Sequence, residues 1–177
     1  MKVLGVAASN SSKSINKKLV HFAISYFEEE QTEIMDLNDY EMPIFSIDRE
    51  EKSGIPSLAL EFAGKIIDSD LILISFAEHN GAYSAAYKNV FDWVSRIKDK
   101  EVWRDKKLFL MATSPGGRGG QSVLKLAVDR MPRHGAIVLD TFSLPNFFKS
   151  FSEGKGIIIE ELRASFEEKI KELLEKY

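Results

Sequence analysis

Three stretches of this chain carry residue types and spacings suited to holding a phosphorylated ligand with a flat ring. The first is Ser9-Asn10-Ser11-Ser12-Lys13-Ser14, followed by Ile15-Asn16. It joins an apolar run to a helical pattern, so it sits where a helix begins. A helix N-terminus presents unpaired N–H groups and about half a positive charge. Hydroxyls and a lysine beside such a terminus would complete a cradle for a phosphate. The same residues also read as a serine N-cap with a solvated loop, and the loop alone does not separate the two. The stretch has neither the GxxxxGK[ST] of a P-loop nor a GxGxxG fingerprint. That argues against a nucleoside triphosphate, or a dinucleotide in the usual Rossmann mode.

The second stretch is Ala77-Glu78-His79-Asn80-Gly81-Ala82-Tyr83. Its polar, small and aromatic groups suit a heteroaromatic ring that needs backbone hydrogen bonds and a stacking wall. Asn80-Gly81 is a turn signal, and a turn with a surface histidine is the plainer reading. His79 has no cysteine or second histidine near it, so no metal site is expected. His21 falls inside a helical pattern and His134 near a helix end, which suits structural roles. The third stretch is Ser114-Pro115-Gly116-Gly117-Arg118-Gly119-Gly120. Its glycines let backbone approach a ligand closely, or simply make a flexible surface turn.

Regular elements must place these loops. Lys2 to Ala8 reads as a short apolar strand. Asn16 to Glu30 reads as a helix, with Leu19, Val20, Ala23, Ile24 and Phe27 on one stripe. Thr32 to Leu37 is a second strand, and Asn38 to Pro56 reads as irregular. Ser57 is the expected N-cap of a helix to Ile67. Leu71 to Phe76 is a buried strand, followed after the second loop by a helix. On that helix Ala85, Val90 and Val94 share a face that Tyr87, Phe91 and Trp93 extend. Lys106 to Thr113 is strand four, Gln121 to Arg133 a helix, and Ala136 to Phe142 strand five. Ser143 to Gly156 reads as irregular, and Ile158 to Tyr177 as a charged amphipathic helix.

Strands alternating with helices predict a parallel sheet covered on both faces, with right-handed crossovers. The ends of strands one, three and four then share one edge, so all three unusual loops meet there. Carboxyl ends of strands are where open α/β sheets bind ligands.

Composition narrows the function classes. The 177 residues suggest one domain spanning 1–177, and 44% hydrophobic with 29% charged residues is ordinary for a globular protein. There is no cysteine, which excludes disulfides, Fe–S clusters and a thiol nucleophile. The net charge is −3 with no basic stripe, which argues against a nucleic-acid partner. The first strand starts at residue 2, which leaves no room for a signal peptide. No run approaches the roughly 18–20 apolar residues of a membrane span. The expectation is a cytoplasmic protein with no membrane partner.

The three loops together resemble the NADPH-dependent FMN reductase family of the flavodoxin-like superfamily. That family opens with GSxRxxSxN, and Ser9, Ser14 and Asn16 match it, with Ala8 and Ser11 in place of the glycine and arginine. Lys13 offers a replacement charge. The second family motif is PEYNGSxPGxLKNxxDW. Glu78, Asn80, Gly81, Lys88, Asn89, Asp92 and Trp93 match it, while Ala77 and Ser84 stand for its prolines and His79 for its tyrosine. Ser114 to Gly120 meets SPGGxGG. The resemblance covers residues 2–145.

It implies a flavodoxin-like, doubly wound, five-stranded parallel sheet in the order 2-1-3-4-5, with FMN at the switch between strands one and three. The implied phosphate site is Ser9, Ser11, Lys13, Ser14, Ile15 and Asn16. The implied ring site is Ala77, Glu78, His79, Asn80 and Gly81, with Ser114, Pro115, Gly116, Gly117, Gly119 and Gly120. Tyr83 and Arg118 would face the substrates. NADPH or NADH would pass a hydride to flavin N5, and a quinone, azo compound or free flavin would then be reduced. The flavin carries that chemistry, so no side-chain acid or base is implied. Lys88, Asn89, Asp92 and Trp93 read as packing, salt-bridge or subunit-contact residues. The family also implies a homodimer or homotetramer. Tyr83, Tyr87, Phe91 and Trp93, read as exposed rings that cannot all face one core, support it. A flavodoxin-like electron carrier, or an FMN-binding protein without turnover, is the alternative.

Overall fold

The computed structural model describes residues 1–98 and 101–175. Five parallel strands form its sheet: β1 (Val3–Ala8), β2 (Thr32–Asp36), β3 (Leu71–Phe76), β4 (Lys106–Thr113) and β5 (Ala136–Leu144). Their order is β2-β1-β3-β4-β5, the flavodoxin-like order that the family resemblance implies. The helices are α1 (Ile15–Ile24), α2 (Ile47–Ser53), α3 (Ser57–Asp68), α4 (Ala85–Val94), α5 (Gln121–Arg130) and α6 (Glu160–Glu175).

Successive strand residues point to opposite faces, so each central strand feeds two cores. Leu4, Val6, Ile72, Ile74, Leu108 and Leu110 pack with α3, α4 and α5. Val3, Ala7, Leu71, Leu73, Phe109 and Met111 pack with α1 and α6. Burial on both faces explains why these strands read as unbroken apolar runs.

Several boundaries differ from the sequence reading. Helix α1 stops at Ile24 rather than Glu30, where the Ser25 hydroxyl donates to the Phe22 carbonyl at 2.8 Å and competes with the helical ladder. Phe27 still packs on the α1 side of the sheet, because the chain turns back under it. The stretch 38–56 is not irregular throughout, since it contains α2. Ser46 caps α2 by accepting from Arg49 N, and Gly54 ends it at φ 71°. Ser57 is the first helical residue of α3 rather than its cap, a place held by Pro56. Helix α5 gives way to a 3-10 turn over Met131–His134, and β5 runs on to Leu144. Residues 143–156 hold a one-turn helix (Phe147–Ser150), and Phe151–Ser152 pairs with Gly156–Ile157. Helix α6 begins at Glu160, and residues 176 and 177 of the helix read from the sequence lie outside the described residues.

The aromatic argument for an oligomer does not hold. Tyr87 and Trp93 are each 1% exposed, and Tyr83 and Phe91 are half-buried against the same core. One core accommodates all four: Tyr83, Tyr87 and Phe91 form a chain of ring contacts 5.1 and 6.1 Å between centroids, and Trp93 packs edge-on against Phe45 at 5.1 Å.

Candidate functional site

The first loop folds on its own side chains. Ser9 Oγ accepts from Ser11 N at 3.2 Å, and Ser11 Oγ accepts from Lys13 N at 3.3 Å. Ser14 Oγ accepts from Lys17 N at 3.1 Å, making it the N-cap of α1. The Ser14 backbone N–H donates to Ser11 O at 3.1 Å, so it turns into the loop rather than toward an anion. The N–H groups of Ile15 and Asn16 precede the helical ladder and face outward from its end. Lys13 is exposed, with no ion pair among the described residues, whereas Lys17 pairs with Asp36.

Asn16 works for the fold. It is 3% exposed. Its Oδ1 accepts from Ser75 Oγ at 2.8 Å and from Thr113 N at 3.1 Å, and its Nδ2 donates to Thr113 O at 3.3 Å. One amide thus ties the start of α1 to the ends of β3 and β4, which brings the three loops to one place.

The second loop is a two-residue ribbon pairing Glu78–His79 with Ala82–Tyr83. Asn80 and Gly81 turn it at φ 52° and 78°, both left-handed, as an Asn-Gly hairpin turn requires. Glu78 Oε2 accepts from Val123 N at 3.0 Å, so this carboxylate caps the first turn of α5. Ser84 donates to Ala8 O at 2.9 Å while its Oγ accepts from Tyr87 N. The serine in place of a family proline therefore pins the ribbon to the end of β1.

In the third loop the glycines divide. A Cβ at Gly119 would press on Ser143 Oγ and lie 2.9 Å from Pro145 N. A Cβ at Gly120, where φ is 76°, would lie 2.8 Å from Ala112 Cβ. Those two let the loop pack on β4 and β5. A Cβ at Gly116 would meet nothing within 4 Å, and one at Gly117 only the Asn146 amide at 3.8 Å. Those two have open space where a Cβ would stand, although the Gly116 carbonyl already accepts from Asn146 N.

A cleft of about 260 Å³ lies among the loops. It is lined by Ser9, Ser11, Lys13, Ser14, Ile15, Asn16, Ala77, Glu78, His79, Ser114 and Pro115, as the sequence grouped them. Thr113 and Phe148 also line it and were missed. Thr113 ends strand four, directly before the third loop, which was a usable signal; Phe148 gave none, because residues 143–156 read as irregular. Asn80, Gly81, Gly116, Gly117, Arg118, Gly119 and Gly120 are not among its lining residues. Tyr83 lies elsewhere, in a groove of about 330 Å³ between α4 and α5, with Lys88, Arg130 and His134. Its buried hydroxyl has no hydrogen-bond partner among the described residues, and burial pushes its pKa up to about 12. Asn89 and Trp93 are structural: Nδ2 of Asn89 reaches Met42 O, and Nε1 of Trp93 donates to Pro43 O at 2.7 Å. Asp92 pairs with Lys88 at 2.7 Å.

A larger cavity of about 590 Å³ opens between α1, the Phe151–Ile157 segment and α6. Of its charged lining residues Lys18 pairs with Glu153, while Arg163 pairs with Glu167 outside the lining. It lies away from the three loops. No group of three or more His, Cys, Asp or Glu placed to hold a metal occurs among the described residues.

The family model of the NADPH-dependent FMN reductases matches residues 1–149. The chain belongs to this family. An NADPH:quinone oxidoreductase of Arabidopsis thaliana is 31% identical over 126 residues, which is 69% of this chain and 62% of that protein. The chain thus spans less than two thirds of that relative. A quinone reductase of Escherichia coli K12 is 28% identical over 80 residues, 45% of this chain and 42% of that protein. Among solved structures, the NAD(P)H:acceptor oxidoreductase FerB of Paracoccus denitrificans superposes with a TM-score of 0.74, at 21% identity over 97% of this chain and 96% of that one. An azoreductase from Bacillus anthracis gives 0.68 at 20% identity, covering 97% of both chains. At such identities these two support the fold alone. No helix among the described residues is long and apolar enough to cross a membrane.

Proposed function

We propose that this protein is an FMN-dependent NAD(P)H oxidoreductase that reduces a small-molecule acceptor such as a quinone, an azo compound or a free flavin. The observation that carries the reading is the cleft at the carboxyl edge of the sheet. There a hydroxyl-rich helix N-terminus and the unpaired Lys13 stand beside open glycine backbone. The donor set fits FMN. The N–H groups of Ile15 and Asn16 and the Ser11 and Ser14 hydroxyls offer hydrogen bonds to a phosphate, and Lys13 offers it a charge. Gly116 and Gly117 let backbone N–H groups approach the pyrimidine side of a ring, where fixed donors stabilise developing negative charge. Bound FMN would supply the two-electron chemistry between nicotinamide and acceptor. Arg118, exposed on the third loop, is the group we assign to the nicotinamide dinucleotide's phosphates. Tyr83 we retain as an acceptor-side residue only through the α4–α5 groove, and a homodimer or homotetramer joined along that groove would bring it to a neighbouring site.

The test is direct. The purified protein is denatured and any released flavin identified chromatographically. The oxidised protein is then mixed anaerobically with NADPH or NADH, and flavin absorbance followed. The expected result is one FMN per chain, bleached by at least one nicotinamide and restored by a quinone. A colourless protein that takes up no added FMN would overturn the reading. A protein that binds FMN but is bleached by neither nicotinamide would be an electron carrier instead.

A further inference from the structure

We propose that Phe148 is the aromatic platform of the cleft, the side chain against which the flat ring of the bound ligand packs. This rests on the FMN reading above. Phe148 is 73% exposed, and every other Phe, Tyr and Trp among the described residues is at least half-buried. A ring left in water forgoes the burial that stabilises the rest of this fold. That one exposed ring lines the same cleft as Ser14 and Glu78, and it is the only Phe, Tyr or Trp in the lining.

The exposure is built in rather than the result of a loose segment. Asn146 N donates to Gly116 O and Phe147 N to Ser114 O, both at 3.0 Å, so the third loop holds this turn. Asn146 takes a left-handed conformation at φ 50°. Its neighbour Phe147 is buried and stacks on Phe151 at 4.8 Å and 17°. Ser150 Oγ donates to Pro145 O at 2.8 Å and closes the turn. The backbone is therefore fixed on both sides of Phe148, and its ring alone is left facing the cleft. The rest of the lining is hydroxyls, an ammonium, a carboxylate, the Asn16 amide, an imidazole and aliphatic groups. Such a wall can hold a phosphate and hydrogen-bond ring edges, but beyond the small, polar imidazole of His79 it lacks a flat apolar face. Phe148 supplies that face.

The experiment uses flavin-free protein and its Phe148→Ala and Phe148→Trp variants, titrated with FMN and with riboflavin. Unfolding temperatures are recorded without ligand. Stacking acts on the ring, so Phe148→Ala should weaken both ligands by the same factor, roughly five- to hundredfold. Phe148→Trp should restore both affinities. Unfolding temperatures should stay within about 2 °C of wild type, because the ring is exposed. Wild-type affinity of Phe148→Ala for both flavins would overturn the proposal. So would a loss confined to FMN, which would put Phe148 beside the phosphate. A changed oligomeric state at unchanged affinity would overturn it too, because the ring would then serve a second copy of the chain. If wild-type protein takes up neither flavin, the FMN reading itself fails, and that outcome is visible before any variant is compared.

Discussion

Ser14 and Asn16 stand two positions apart, and the sequence groups both with the phosphate. Their side chains do different work. Ser14 caps α1, while Asn16 bridges three partners on β3 and β4. Asn16→Ala would leave Ser75 Oγ and both backbone groups of Thr113 unpaired in the core. An unpaired buried polar group costs about 1–3 kcal/mol, and the three share one network, so the expected loss is roughly 2–4 kcal/mol of stability. Ser14→Ala should cost only about 0.5–2 kcal/mol, and Ser14→Asp almost nothing, since aspartate caps as well. Ser14→Asp should nevertheless lose FMN, because it sets a negative charge beside the phosphate. Urea unfolding and FMN titration of the three variants separate these roles. An Asn16→Ala variant as stable as wild type would show that the bridge does not hold the edge together. The cap was legible from Ser14 preceding a helical pattern. The bridge was not, since its partners are 59 and 97 residues away and nothing local marks them.

At the level of elements, central strands and positions of the unusual loops were legible, because a doubly buried strand leaves an unbroken apolar run. Strands β3 and β4 fall on the residues the sequence marks. Helix α2 was hidden between prolines and glycine, although Ser46 and Gly54 are a cap and a stop at the right spacing. The third loop was legible as glycine-rich but not as two kinds of glycine, because that difference depends on what lies across from each. Gly120 sits at φ 76° with Ala112 Cβ 2.8 Å from where its own Cβ would stand. Gly120→Ala should therefore combine a left-handed penalty of about 1–2 kcal/mol with a steric clash. A total of roughly 2–4 kcal/mol is expected. Gly116→Ala has open space around its Cβ and should stay within about 1 kcal/mol of wild type, while weakening any ligand that needs that backbone. Denaturant midpoints decide this. Equal losses at both positions would mean that the loop is not divided as described.

On the scale of the whole molecule, residues 1–149 carry the family match and the cleft, and α6 lies beyond them. Phe166, Ile170 and Leu173 of α6 are buried against the sheet face that α1 also covers. The C-terminal helix thus completes a core and contributes no residue to the cleft lining. The three loops hang from β1, β3 and β4, which together with their flanking helices make up most of the fold. A ligand that joins them binds the folded state and not the unfolded chain. At 100 times its dissociation constant such a ligand stabilises by about 2.7 kcal/mol. For a chain of this size, 1 kcal/mol raises the unfolding temperature by roughly 2–4 °C. FMN at that excess should therefore raise it by roughly 5–10 °C. Riboflavin at the same concentration should raise it less, because it leaves Lys13 and the α1 terminus without their anion. Inorganic phosphate alone should move it little, because it touches only the first loop. Scanning calorimetry with each additive measures all three. Equal shifts with FMN and riboflavin would show that the phosphate contributes nothing, and the assignment of the first loop would then be wrong even if the ring site stands.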